Sequence, residues 1–269
     1  MKDIANKLVL ITGGASGMGR IWAKHFLKDG AKVILWDVNE KALFEAKEQF
    51  SQNGFTVITQ KVDITDEHLV LKTKKDINSN FGNVDILVNN AGVVFGSELT
   101  KDDYKKIKLT VDINTTGMIF LTKIFLEDMA SKKEAHIINI SSASGFIGVP
   151  FMSTYTATKW AVIGFTESLR LELKELGLKN IRLTLLCPGY VNTGMFAGVK
   201  QPFLMPLLDQ EKLIEKSYKL FKNNKYLIQE PFIVKFTPFM KWVFPQWLFD
   251  WLLKVLGYSK SMKEWKGKK

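Results

Sequence analysis

Tyr155-Thr-Ala-Thr-Lys159 sets a phenol and an ammonium at positions i and i+4, on one face of a helix and within mutual influence. A free tyrosine titrates near pH ~10, too high to take a proton from an alcohol at neutral pH, but a nearby Lys⁺, like any positive charge beside the ring, favours the phenolate. The pair therefore predicts Tyr155 as general acid/base and Lys159 as the group that tunes it, with donors left over for a hydroxyl of a bound cofactor. Alone, the same spacing also describes an ordinary surface pair worth a few tenths of a kcal/mol. What adds weight is Ser141-Ser142, directly after an apolar run, with Ser142 thirteen residues ahead of Tyr155 across a loop containing Gly145, Gly148 and Pro150. Ser142 can hold a substrate oxygen beside the phenol.

A second group of residues could hold the dinucleotide. In Thr12-Gly-Gly-Ala-Ser-Gly-Met-Gly19, Gly13, Gly17 and Gly19 let the backbone amides of the turn, including those of Ser16 and Met18, approach a pyrophosphate. Glycines of an ordinary strand-to-helix turn would look similar. Asp37 follows Gly19 by 18 residues at the end of a second apolar run, where a carboxylate can bind both adenosine ribose hydroxyls and repel a 2′-phosphate. With Ser16 and Val38 uncharged, NAD is expected rather than NADP. Asp63 could reach the adenine amino group, or cap a helix, and Ile64 offers an apolar contact. Asn90-Ala91-Gly92 lies where a chain passes close to a ligand, although turn chemistry alone accounts for such residues.

Positioning these groups at one edge requires alternating strands and helices. The strand-like runs are Leu8–Thr12, Lys32–Asp37, 55–59, Asp85–Asn89, Ala135–Ile140 and 181–186. Helical patterns separate them, from Met18 to about Lys28, Glu40 to Asn53, Asp66 to Phe81, around Tyr104 to Met129, and from Tyr155 to Leu176. Runs apolar on both faces must be covered on both sides, so the expected class is α/β, one doubly wound parallel sheet of about seven strands. After Pro188 the regularity is lost. Residues 1–193 read as the dinucleotide-binding and catalytic core, 194–235 as a lid over the substrate, and 236–269 as a basic, aromatic extension of the same domain.

Composition narrows the classes further. The single cysteine, Cys187, forms no intrachain disulfide and fits a small buried hydrophobe in a reducing compartment. His25, His68 and His136 are scattered without ligand spacing, so no metal is expected. The net charge of +11 is lopsided, with 14 Lys against 6 acidic residues from Lys200 onward. Such a tail suits anionic lipid, nucleic acid or plain solubility, but no recognition module for nucleic acid accompanies it. No signal-peptide pattern is present, and no run approaches the ~20 apolar residues of a spanning helix. A cytoplasmic protein is expected, peripheral to a membrane if its tail binds lipid.

In order and spacing, T-G-x-x-x-G-x-G, N-N-A-G, the middle-helix Asn, Ser, Y-x-x-x-K and P-G-x-x-x-T resemble the short-chain dehydrogenase/reductase family over Lys7 to Thr193, about 70% of the chain. The resemblance implies a Rossmann fold and reversible hydride transfer between an alcohol carbon and the nicotinamide, without a metal or covalent intermediate. It makes Asn114 the holder of a proton-relay water with Lys159. It places Pro188, Gly189, the Val191 backbone and the Thr193 hydroxyl against the carboxamide. It also implies a homodimer or homotetramer formed through the middle helices, and a mobile loop over the substrate mouth. Met195, Phe196, Phe203, Leu204, Met205, Leu207 and Leu208 would then suit a lipophilic alcohol, unless they only pack beneath that loop. Gly257 to Trp265 is similar to a branch with retinol, hydroxysteroid and lipid-droplet-associated dehydrogenases, many of which carry an N-terminal hydrophobic anchor; none is expected in this chain. The expected function is an NAD(H)-dependent oxidoreductase of a steroid-, retinoid- or fatty-alcohol-like substrate. The alternatives are a reductase of small diketones or sugars, or a non-catalytic cofactor-binding protein of lipid surfaces.

Overall fold

The structure, a computed structural model, describes residues 1–196, 198–258, 261, 262 and 265. Seven parallel strands form one sheet: β1 (Leu8–Thr12), β2 (Lys32–Asp37), β3 (Val57–Lys61), β4 (Ile86–Asn89), β5 (Ala135–Ile140), β6 (Ile181–Pro188) and β7 (Leu227–Glu230), in the order β3-β2-β1-β4-β5-β6-β7. Side chains alternate across β1, sending Val9 and Ile11 to one face and Leu8 and Leu10 to the other, where each pair meets its own hydrophobic layer. On the first face lie α1 (Gly17–Lys28), α2 (Glu40–Gln52) and α7 (Gln210–Lys222), contributing Trp22, Phe26, Phe50 and Phe221. On the second lie α3 (Glu67–Phe81), α5 (Met118–Ala130) and α6 (Ser153–Glu175), contributing Val70, Ile77, Phe125 and Leu169. Both faces are covered, as a sheet of apolar parallel strands requires.

Several elements differ from the sequence-based expectation. β3 starts and ends two residues later, because Gln60 pairs with Trp36 across the strands and its Oε1 accepts a 2.8 Å bond from Trp36 Nε1. The long middle helix is divided into α4 (Tyr104–Val111), a π-turn over Asp112–Gly117, and α5. By length and mean hydropathy (1.2) the run Tyr104–Ala130 could cross a membrane, yet Leu121, Phe125 and Met129 pack into the second core layer. The stretch expected as a lid, 194–235, also holds framework: β7 adds the seventh strand to the sheet and α7 covers one of its faces, while residues 198–209 ahead of α7 lie outside helix and sheet. Asp209 caps α7 through the Lys212 amide, and Leu213, Ile214, Tyr218 and Phe221 bury one face of it against α1. That 3.6-residue period was masked by the prolines on either side.

Beyond β7 come α8 (Thr237–Val243) and α9 (Gln246–Val255). Phe249, Leu253 and Leu256 turn inward and join a cluster that includes Tyr155. Lys260, Lys263, Lys266, Lys268 and Lys269 of the expected basic tail lie outside the described residues.

Candidate active site

The strand order reverses between β1 and β4, and connections there diverge to opposite faces, leaving a cleft beyond the strands' carboxyl ends. Its volume is about 680 Å³. Gly13 and Gly17 on its floor have φ of +59° and +52°, which favours glycine. A side chain at Gly19 would sit 2.3 Å from the Gly13 carbonyl oxygen, so the turn closes only with glycine there. Asn90 braces it: its Nδ2 donates to the carbonyls of Thr12 and Gly13, both at 3.0 Å, while its backbone N–H and that of Ala91 donate to Thr12 Oγ1. Asn90 thus shapes the turn as well as lining the cleft.

At the start of α1, Ser16 is extended and caps no amide, and no acid stands in the first turn. The positive helix end therefore faces the cleft at Gly17 and Met18 without a side-chain acceptor, as an anion site requires. Asp37, at the tip of β2, accepts from the Ala15 N–H (3.2 Å) through Oδ2 and from the Asn39 N–H (3.0 Å) through Oδ1, which holds the carboxylate at the rim. Nearby Arg20 is committed elsewhere, donating to Ala15 O, Gln49 Oε1 and Ala42 O. Asp63 uses Oδ1 to accept from the Thr65 amide and hydroxyl, and the acid that caps α3 is Asp66. Ile64 and Gly92 complete the walls near the middle of the cleft. A cradle of open amides ending in a fixed carboxylate fits a dinucleotide.

The catalytic candidates converge at the inner end. Ser141 Oγ donates to the Lys159 carbonyl at 2.8 Å, tying the strand end to α6, and Gly145 permits the close approach, since a side chain there would meet Ile163 at 2.4 Å. Ser142 Oγ donates to Pro188 O at 3.4 Å and accepts from the Ser144 N–H. It also contacts the Tyr155 phenol. Lys159 Nζ donates to Ile140 O at 3.1 Å and lies 5.5 Å from the centre of the Tyr155 ring. Asn114, in the π-turn, accepts from the Val93 N–H (2.8 Å) and donates to Val93 O (2.9 Å) and Thr158 Oγ1 (3.2 Å). Its side chain is a clamp between the chain after Gly92 and α6, with both Nδ2 hydrogens engaged.

Burial dominates the electrostatics. It pushes the Tyr155 phenol well above the ordinary tyrosine value, with the Ser142 contact opposing the rise, and it pulls Lys159 down to about 8. Lys159 Nζ, 5.5 Å from the Tyr155 ring centre, is placed for its charge to oppose that rise when it is protonated. Cys187, beneath Ser141, is pushed up to about 12 by the same burial and stays a neutral thiol. Among the described residues, no three His, Cys, Asp or Glu side chains group as metal ligands.

The outer end is apolar. Met195 and Phe196 line the cleft as expected from sequence, and Pro188, Gly189, Val191 and Thr193 form its edge, with Thr193 Oγ1 accepting from the Met195 N–H at 3.4 Å. Met205 lines a small recess beside Ser142 and Tyr155, whereas Phe203 and Leu204 are exposed, Leu207 packs with the inner cluster, and Leu208 pairs with Val191. Trp265 was not foreseen. Its Nε1 donates to Met195 O at 3.0 Å and its ring lies over Gly96, making it part of the cleft wall. Tyr190 and Tyr258 in the recess were also missed, and Ser261 joins them by accepting from Tyr190 Oη and donating to Tyr258 O. No spacing rule reaches from Tyr155 to Trp265.

Comparison with known proteins identifies the family. The short chain dehydrogenase profile matches residues 7–202. Human estradiol 17-beta-dehydrogenase 11 is 33% identical over 247 residues, covering 91% of this chain and 81% of the relative. Mouse epidermal retinol dehydrogenase 2 is also 33% identical, over 91% and 80% of the two chains. Among solved structures, a short chain dehydrogenase/reductase from Burkholderia phymatum in complex with NAD superposes with a TM-score of 0.80 at 26% identity, covering 88% of this chain and 93% of its own. A match of this length to the profile, joined to relatives that share a third of their residues across nine tenths of the chain, establishes that the chain belongs to the short-chain dehydrogenase family.

Proposed function

We propose that the protein is an NAD(H)-dependent oxidoreductase that interconverts an alcohol and a carbonyl on a lipophilic substrate of the steroid, retinoid or long-chain alcohol class. The observation that carries this reading is the buried Tyr155 phenol, in contact with Ser142, between a dinucleotide-sized cleft and an apolar wall. When bound, the nicotinamide supplies or accepts the hydride.

The chain's own residues handle the oxygen and its proton. Ser142 Oγ donates to the substrate oxygen and fixes it beside the phenol, exchanging its long 3.4 Å bond to Pro188 O for a shorter one. In the reducing direction Tyr155 Oη donates its proton to the carbonyl oxygen, and the burial that keeps this phenol neutral favours that role. In the oxidising direction Tyr155 must first lose the proton, which requires positive charge nearby. Below about pH 8 the Lys159 ammonium supplies it. Asn114 is the residue that, with Lys159, would hold the water relaying the proton; its Nδ2 is taken by Val93 and Thr158, while its Oδ1 accepts only the Val93 N–H.

Asp37 supports NAD over NADP: a carboxylate held at the rim binds two ribose hydroxyls and repels a phosphate in place of one, and Arg20 is already bonded away. Two relatives whose names specify estradiol and retinol support the substrate class, as does the wall of Met195, Phe196 and Trp265. The test is an absorbance assay of the purified full chain with NAD or NADP against long-chain alcohols, retinol, steroids and small diols. Turnover of an apolar alcohol with NAD is expected. Turnover confined to small diols, or a preference for NADP, would overturn the corresponding half of the proposal.

A further inference from the structure

Past the sheet, the chain turns large apolar side chains to both sides of the same short helices. On α9, Phe249, Leu253 and Leu256 pack inward with Tyr155 and Met205, while Trp247, Trp251 and Val255, at i, i+4 and i+8, face out. On α8 the outward set is Phe239, Trp242 and Val243, again one face, and Phe232 and Phe236 extend it into the preceding turn. Trp242 is 85% exposed and Trp247 72%. Soluble monomers rarely leave a contiguous aromatic surface of this kind uncovered.

Charge selects what covers it. Between Pro231 and Tyr258 the chain carries Lys235, Lys241 and Lys254 against the single acid Asp250. Two of the cations lie on aromatic faces, Lys235 Nζ 4.9 Å from the Phe232 ring and Lys241 Nζ 4.2 Å from that of Trp160 on α6. A second copy docked symmetrically would repeat the same patch and bring like charges together. Anionic headgroups complement the lysines, and the indole rings, apolar with one N–H donor, suit the depth just below those headgroups.

We propose that the outer face of α8, α9 and the turn before them docks on an anionic phospholipid surface. The loop carrying Phe203 and Leu204 is held to the end of α9 by the Phe203 N–H donating to Leu256 O at 2.9 Å, so docking brings that loop to the lipid as well. Its neighbour Met205 lines the recess at Tyr155. A lipophilic substrate then has a path from the bilayer to the catalytic wall, a consequence that rests on the proposed function, whereas the docking itself does not.

The test is flotation of the full-length protein with phosphatidylcholine vesicles, with and without phosphatidylserine, for wild type, Trp242→Glu/Trp247→Glu and Lys235→Gln/Lys241→Gln/Lys254→Gln. Wild type is expected to float with the anionic vesicles, and each variant to lose about tenfold or more in bound fraction. Circular dichroism and turnover of a water-soluble alcohol report folding separately. Quenching of wild-type tryptophan fluorescence by brominated acyl chains gives a reading that needs no variant. No wild-type flotation, equal flotation of the tryptophan variant, or absence of quenching would overturn the proposal. So would a dimer in lipid-free sedimentation that the tryptophan variant converts to monomer, since a second copy would then cover the face.

Discussion

Replacing Lys159 with methionine should make the protein more stable while abolishing its chemistry. The ammonium is buried, and burial lowers its pKa from 10.5 to about 8, so the fold holds a charge it disfavours. At about pH 7 both folded and unfolded chains carry the proton, and the whole penalty is present, about 3 kcal/mol when each tenfold change in proton affinity is worth ~1.4 kcal/mol. Losing the bond from Nζ to Ile140 O returns about 1 kcal/mol, leaving a net gain of about 2 kcal/mol for a side chain of similar length. The sign with pH follows from the lowered pKa. Between about 8 and 10.5 the unfolded chain binds more protons than the folded one, so wild-type stability rises with pH through this window and the advantage of the Lys159→Met variant shrinks. Urea unfolding at about pH 7 and about pH 9.5 should show the gain falling by about 2 kcal/mol. A destabilised variant, or a gain indifferent to pH, would refute a charged buried Lys159.

Three further substitutions probe the cleft. Asp37→Ala frees the Ala15 and Asn39 amides and removes the ribose acceptor, so NAD affinity should fall about 10- to 100-fold, in line with charged hydrogen bonds of about 1.5–3 kcal/mol, while NADP gains relative to it; fluorescence titration of both dinucleotides measures this. Gly19→Ala should cost about 1–3 kcal/mol in thermal or urea unfolding and eliminate dinucleotide binding, because the new methyl would stand 2.3 Å from Gly13 O and 2.7 Å from Asn90 Nδ2. Trp265→Ala opens the outer wall and removes the bond to Met195 O, so kcat/KM should fall about 10- to 100-fold for a bulky apolar alcohol and little for a small one.

Much of this arrangement was legible in the sequence because it is local. Gly13, Gly17 and Gly19 between a strand and a helix, and Tyr155 one turn before Lys159, are fixed by neighbours in the chain, so spacing locates them. The parallel strands were legible where they are buried on both faces; β7, four residues with Gln229 and Glu230, carries no such signal and is specified by pairing with β6. Asn114 came only from family resemblance, since its role depends on a π-turn that leaves no mark in hydrophobic periodicity. Trp265 and Tyr258 reach the site through tertiary folding of the C-terminal segment, where prolines break every period, and Tyr190, inside the Pro188–Thr193 motif, joins the recess by bonding to Ser261 of that segment. The exposed rings of α8 and α9 were visible as composition, but only the fold separates Phe249, which packs inward, from Trp247 and Trp251, which do not.

The central claim is that Tyr155 moves the proton. Formation of NADH by purified wild type and Tyr155→Phe, compared on the same apolar alcohol, tests it directly, with unfolding curves and NAD binding as controls that the phenylalanine ring fills the same space. Loss of the hydroxyl should lower kcat at least about 100-fold, the scale of general acid/base catalysis, and leave NAD affinity within a few fold. A variant that keeps wild-type turnover would contradict the assignment.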